Sequence, residues 1–289
     1  MDKQLNIIGI GEILWDMLPQ GKQLGGAPGN FAFHVTKLGE NGMVVSAVGD
    51  DSDGMEIISR LKDKGLPVDY VQVNGHNTSR VDIRLDKEGV PCYIINENVA
   101  WDYIENSAGL ADVFKQADAV CFGSLAQRNS VTKETIFKCL GNCPDSCLKV
   151  YDINLRQNYY SKEIIEKSLE VSDVLKLNDE ELPVVCSLLG IEGDEIPAIR
   201  ELIERFHLKL VAYTLGSKGS YLVTDHEQSF MPTPEVEVVD TVGAGDSFTA
   251  SMVVSYMRGE SLTEVHAKAV RLSAYVCTQK GAMPDYKCN

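Results

Sequence analysis

No apolar run in this chain approaches the roughly 18 residues that a membrane-spanning helix needs. The segment 5–10 is also too short and too polar for the hydrophobic region of a secretion signal, and it reads instead as a buried first strand, so a cytoplasmic protein is expected. Positive charge is scarce. The chain has 27 Lys and Arg against 42 Asp and Glu, a formal net charge of −15, which argues against nucleic acid or an anionic membrane as partner. Three nucleotide-binding signatures are missing. There is no GxxxxGK(S/T), Leu14 stands where Gly9-Ile10-Gly11 would need a third glycine for a dinucleotide fingerprint, and HRD and DFG do not occur. Asp50-Asp51-Ser52-Asp53-Gly54 is a turn and not a calcium loop, because Gly49 and Arg60 occupy positions that need carboxylates. The eight cysteines, with no secretory signal, are expected to stay free thiols. Cys139, Cys143 and Cys147 recur every four residues, but Gly141 and Pro144 would break the helix that aligned them as metal ligands.

What is present is a chain of 289 residues, 44% apolar and 24% charged, long enough for one large α/β domain with or without a small appendage. Short apolar runs of parallel-strand type fall at 5–10, 44–48, 119–122, 148–152, 174–177 and 210–214. Helical patterns lie between them, among them 30–38 closed by Gly39, 55–64 closed by Gly65, and 132–140 closed by Gly141. This alternation implies a mostly parallel sheet with helices on both faces. From Val68 to Ile95 the pattern changes: Val81, Ile83 and Leu85 alternate with polar residues, and Lys87-Glu88-Gly89 turns the chain into a second run at 90–95. An antiparallel hairpin projecting from the main sheet is expected there.

The richest stretch is Val239-Asp240-Thr241-Val242-Gly243-Ala244-Gly245-Asp246-Ser247-Phe248. Its glycines permit close backbone approach, and the apolar run after it reads as a helix beginning near Gly245. A helix N-terminus offers unpaired amides and partial positive charge, suited to a phosphoryl group, while Asp246 in the same turn can take a proton from an attacking hydroxyl. On these residues alone, a capped helix start with glycines for a tight turn explains the pattern equally well.

The segment from Asp240 to Phe248 resembles the C-terminal signature of the ribokinase-like (PfkB) carbohydrate kinases, and Gly25-Gly26-Ala27-Pro28-Gly29-Asn30-Phe31-Ala32 resembles their N-terminal sugar signature in the Ala-Pro form common in fructokinases. The resemblance spans the whole chain. It implies a single three-layer α/β domain over 1–289 with a mostly parallel central sheet, and a small β lid formed mainly by about 68–100 plus a strand near 12–18. It also implies ATP-dependent transfer of the γ-phosphoryl group to a primary hydroxyl, with fructose favoured over ribose, 2-keto-3-deoxygluconate or a nucleoside. A non-catalytic sugar-binding protein on the same fold is the reading from another class, and the intact Asp246, Gly-Ala-Gly and NxxE motif disfavour it.

Residue by residue, the resemblance makes Asp246 the base and Gly243, Ala244 and Gly245 the anion hole. Asp16, Gly25, Gly26 and Asn30 become the sugar site; a carboxylate suits paired hydroxyls, and the Asn30 amide both donates and accepts. Asp152-Ile153-Asn154-Leu155-Arg156 is similar to the fructokinase DxNxR motif, so Asn154 and Arg156 are expected at substrate or phosphate, with Gln127 a further possible sugar contact. Asn178 and Glu181 match the NxxE motif, in which the glutamate orders water around Mg²⁺. Thr214, Gly216, Lys218 and Gly219 resemble the nucleotide loop, Thr241 belongs to the same side, and Cys277, Gly281 and Ala282 match positions that wall the adenine pocket. A monovalent cation such as K⁺ would be held near Asp240, Val242, Val276, Gln279 and Gly281, with Asp285 close by. Family lids often pair across a dimer, which makes a homodimer the expected assembly.

Overall fold

The computed structural model describes residues 3–18, 21–85 and 91–286; at Leu18, 82–85 and 91–93 it describes the backbone alone. The chain opens with β1 (Asn6–Ile10), β2 (Leu14–Leu18) and β3 (Gly21–Gly25), then runs through α1 (Ala27–Lys37), β4 (Asn41–Gly49), α2 (Ser52–Asp63) and β5 (Val71–Asn74). A hairpin follows, β6 (Arg80–Leu85) and β7 (Pro91–Ile95). Next come α3 (Ala108–Phe114), β8 (Ala119–Phe122), α4 (Ser130–Asn142), β9 (Leu148–Asp152), α5 (Lys162–Glu170) and β10 (Val174–Asn178). The last part contains α6 (Glu181–Leu189), α7 (Glu195–Phe206), β11 (Leu210–Thr214), β12 (Ser220–Val223), β13 (Gln228–Met231), α8 (Ala244–Met257) and α9 (Leu262–Cys277).

A nine-stranded sheet has the order β13-β12-β11-β10-β9-β8-β1-β4-β5, its pairings parallel except for those that β12 makes with β11 and β13. The alternating direction of side chains along each strand divides the core. Ile8, Ile10, Val120, Phe122, Tyr151, Leu175 and Leu177 face one side, packed with residues of α3 to α7, while Ile7, Ala119, Val150, Val174 and Leu210 face the other, covered by α1, α8 and α9. Both faces are buried, as the near-continuous apolar strands require. Burying each such side chain is worth about 1.5–3 kcal/mol, enough in sum to hold the strand ends as a rigid platform.

A second sheet, order β3-β2-β6-β7, stands apart from the first. The hairpin expected at 81–95 is present as β6 and β7, whereas its turn at Lys87-Glu88-Gly89 lies outside the described residues. Two expectations change. Val71–Asn74 falls within the stretch assigned to the lid but pairs in parallel with β4 at the edge of the large sheet, because its register continues that of Ser46–Gly49. The partner of β2 is Gly21–Gly25, which carries no strand-like apolar pattern and exists through pairing with β2. On the apolar face of the hairpin, which either the chain's own fold or another subunit must cover, Val81 is 7% exposed within this chain, and the side chains of Ile83 and Leu85 lie outside the described ones. The helix expected to stop at Gly141 runs one residue further, and Pro144 follows its end. Among the described residues no helix is long and apolar enough to cross a membrane.

Candidate active site

The strand order reverses direction of growth beside β1: the chain builds outward to β4 and β5, then returns to place β8 on the other flank. Ligands of open α/β sheets bind outside the C-terminal strand ends at such a point. A groove lies there. One end is roofed by the small sheet through Leu14, Asp16, Gln23, Val81 and Ile95, and the other reaches β11 and α9.

The N-terminus of α8 forms the groove floor. Gly243 caps the helix at φ 78°, a left-handed conformation, and a Cβ there would lie 2.6 Å from the Ala282 Cα. Only glycine fits both constraints. The Asp240 carboxylate fixes the turn by accepting from the Val242 amide at 3.0 Å and the Gly281 amide at 3.0 Å. Ala282 is fixed in turn, its carbonyl accepting from His34 Nε2 at 2.9 Å while His34 Nδ1 meets the Tyr286 hydroxyl at 2.8 Å. Burial holds that imidazole neutral, its pKa lowered to about 4. Gly243 to Asp246 therefore line the groove in a fixed geometry, the Ala244 amide donating to the Thr241 carbonyl at 3.3 Å and the Gly245 and Asp246 amides following in the first turn.

Asp246 lies in the first turn of α8 and accepts a hydrogen bond from Asn30 Nδ2 at 2.7 Å. Burial raises its pKa to about 6, Asp152 adds to the rise, and Asn30, Lys176 and Arg156 oppose it. It is thus an ionised base at neutral pH with more proton affinity than a surface aspartate. Asn30 is 3% exposed, and its Oδ1 accepts no hydrogen bond. An orphaned buried acceptor beside a base is costly unless a ligand hydroxyl supplies the missing donor. Asp16 leans over Gly25, where any Cβ would collide with its Oδ2; burial raises its pKa to about 6, Arg156 countering and Asp240 adding to the rise.

Lys176, 8% exposed, projects from β10 to within 3.1 Å of where a Gly245 Cβ would stand. Burial alone would lower its pKa, but Asp152, Glu181 and Asp246 outweigh that and raise it, so the ammonium stays charged next to the start of α8. Its direct partner is Asp152 Oδ1 at 3.0 Å, and Asp152 Oδ2 accepts from the Thr249 hydroxyl at 2.8 Å. Glu181 accepts from the Leu155 and Asn178 amides, each at 2.9 Å, and burial raises its pKa. Both oxygens are thus fixed where Glu181 lines the groove. Among the described residues no three His, Cys, Asp or Glu side chains converge on a point.

The groove brings together most of the residues expected from the sequence: Asp16, Gly26, Asn30, Asn154, Arg156, Asn178, Glu181, Thr214, Gly216, Gly219, Thr241, Cys277 and the run Gly243 to Asp246 all line it. Several of the expected residues stand outside the groove lining. Gln127 is 1% exposed and bound to the Gly123 carbonyl at 2.8 Å and Ser168 Oγ at 2.9 Å, so its amide is committed to the core. Lys218 is exposed on the turn joining β11 to β12 and does not line the groove. Ala282 backs Gly243 and the Gly281 amide holds the Asp240 carboxylate, neither lining the groove, and the surfaces beside Cys277 come from Val236, Val238, Val270 and Ala274. Asp285 is drawn away to Lys37 at 3.1 Å and Lys64 at 3.4 Å. The Val242 and Gly281 amides remain joined through the Asp240 carboxylate, with Val276 and Gln279 adjoining through the end of α9. Sequence reasoning missed Glu12, Asp152 and Lys176. A lysine inside the apolar strand Val174-Leu175-Lys176-Leu177 was the available signal, since a charge on a doubly buried strand must be paired.

The family model described as pfkB family carbohydrate kinase matches residues 19–287. A fructokinase-2 of Solanum lycopersicum is 27% identical over 305 residues, covering 96% of this chain and 92% of that one. An ATP-dependent 6-phosphofructokinase of Thermoanaerobacterium thermosaccharolyticum is 26% identical, covering 98% and 91%. Among solved structures, an uncharacterized sugar kinase of Pyrococcus horikoshii in complex with ATP superposes with a TM-score of 0.81 at 26% identity, covering 96% of this chain and 94% of that one.

Proposed function

The chain belongs to the pfkB family of carbohydrate kinases, and from that premise we propose that it transfers the γ-phosphoryl group of ATP to a primary hydroxyl of a neutral monosaccharide, fructose above others. The observation that carries the reading is the Asn30 Oδ1 left without a donor, on the side chain whose amide nitrogen lies 2.7 Å from the Asp246 carboxylate. A sugar hydroxyl there satisfies the orphan and presents its neighbour to the base.

Asp16 accepts from further hydroxyls, and the chain's own groups then perform the transfer. Asp246 removes the proton of the attacking oxygen as it approaches phosphorus, while the first-turn amides of α8 and the Lys176 ammonium meet the charge on the phosphoryl oxygens. The base and side of the nucleotide fit the segment from Thr214 to Gly219 and the apolar wall of Val236, Val238 and Ala274. Mg²⁺, when bound, supplies charge neutralisation across the phosphates; Glu181 would hold its water. The Glu181→Ala variant is expected to need several-fold more Mg²⁺ for half-maximal rate with little change in sugar KM, in titrations of initial rate against metal. An unchanged metal requirement removes Glu181 from that role.

The sugar end of the groove presents Glu12 and Asp16 together with apolar Leu14, Val81 and Ile95, an environment that suits hydroxyls better than a second phosphate. Sites that hydrogen-bond particular hydroxyls reject sugars lacking them by powers of ten, because buried polar groups are left unpaired. Coupled assays over fructose, ribose, glucose, 2-keto-3-deoxygluconate, adenosine and fructose 6-phosphate should give fructose the highest kcat/KM, and Asp16→Ala should lower it about 100-fold or more. A tenfold preference for another acceptor refutes the fructose assignment, and no transfer to any of them refutes the kinase reading.

A further inference from the structure

At the sugar end of the groove, beside the ends of β1 and β8, lies a small chamber with space for about one water molecule. Glu12, Asp152, Asn154 and Asp246 are among its lining residues, together with Phe31 and Phe122. Glu12 is 4% exposed and faces both the chamber and the groove. Phosphoryl transfer by Asp246, the α8 amides and Lys176 leaves it without a role. A base recessed under its substrate must dispose of the proton it has taken, and the groove is then filled by the two products.

We propose that Glu12 is the proton partner of Asp246, receiving across the chamber, through one water, the proton that Asp246 takes from the attacking hydroxyl. This rests on the kinase reading. The sugar O–H bond breaks as an Oδ–H bond forms on Asp246; that proton passes to the water while the water gives another to a Glu12 oxygen. Asp246 returns to its ionised form, and Glu12 releases its proton to solvent when the groove empties. Glu12 thereby acts through Asp246 and is a positioning residue for the proton.

The electrostatics support the direction of transfer. Burial raises Glu12 to about 7, the Asp246 charge adds to the rise, and its own amide, Arg156 and the Ala27 amide oppose it. Asp246 stands lower, at about 6. The other charged groups around the pair are the ion-paired Asp152 and Lys176, and burial drives the Cys121 thiol, also on the chamber wall, upward into its neutral form. Between these two values Glu12 already carries a proton and cannot accept another. Above about pH 7 it is ionised and takes the proton downhill from Asp246.

The wild-type kcat should therefore rise in two steps, near pH 6 and near pH 7. Glu12→Gln, nearly isosteric and unable to accept, should keep the first step and lose the second, with kcat at about pH 8 lowered on the order of tenfold and the KM for ATP within about twofold. Glu12→Asp should restore part of the second step. Infrared titration supplies a readout free of turnover: a protonated buried-carboxyl band should be present in the wild-type protein at about pH 6.5 and gone by about pH 8, and Glu12→Gln should lose intensity from it at about pH 6.5. A Glu12→Gln enzyme that keeps both steps, or loses the same factor at every pH, overturns the proposal, as does the absence of that band from the wild-type spectrum. Failure to phosphorylate any sugar would instead strike the kinase reading, and the infrared result would still report on the carboxyl pair.

Discussion

Asp246→Asn should lower kcat by roughly 10²–10⁴ while sugar binding survives, the loss expected when a positioned general base is removed. In energy this is about 3–5 kcal/mol of barrier. The substitution is nearly isosteric, and the new carbonyl oxygen can still accept from Asn30 Nδ2, now 2.7 Å from Asp246 Oδ2, so the sugar pocket keeps its shape. The loss need not be complete, because positioning and charge stabilisation carry much of phosphoryl transfer and the α8 amides and Lys176 remain. The pH profile gives an independent check. Burial, with Asp152 adding, sets the Asp246 pKa at about 6, and the base must be ionised to work, so the wild-type rate should fall as pH drops below about 6. That acid limb should vanish in the variant. Near-normal turnover, measured by single-turnover transfer at saturating ATP, would show that another group takes the proton.

Much of this site is legible in the amino-acid sequence, and the reason is local. The α8 N-terminus, its glycines and Asp246 are consecutive, and the apolar runs at Ala119–Phe122, Leu148–Asp152 and Leu210–Thr214 coincide with β8, β9 and β11 because strands buried on both faces need no partner in sequence to be recognised. Elements defined by pairing are harder. Gly21–Gly25 becomes a strand only beside Leu14–Leu18, and Val71–Asn74 joins the large sheet only because β4 is long enough to receive it. Charge compensation is hidden for a related reason: Lys176 and Asp152 are 24 residues apart, and Asn30 and Asp246 are 216 apart. The failure of Gln127 shows the converse. A polar residue after a strand is as able to satisfy backbone carbonyls and a buried serine as to greet a ligand, and only the fold decides between them.

Gly243→Ala should separate the anion hole's shape from its mere presence. The residue sits at φ 78°, and an added Cβ would stand 2.6 Å from both the Cα and Cβ of Ala282, backbone that cannot simply rotate aside. Retreat is blocked on the far side as well, since the Ala282 carbonyl is held by His34 and the preceding Gly281 amide by Asp240. The strain, about 1–3 kcal/mol, must therefore be relieved by moving the start of α8. A displacement near 1 Å at a catalytic amide costs about 100-fold, and loss of one oxyanion donor about 10²–10³ in kcat, so a fall of that order is expected with ATP binding weakened less. Gly259 provides the control: it has φ 73° at the end of α8, and nothing lies within 4 Å of its added Cβ. Gly259→Ala should thus lower Tm through backbone strain while leaving kcat unchanged. Comparable kcat values for the two variants, each within twofold of wild type, would mean that the Gly-Ala-Gly turn is a helix start and nothing more.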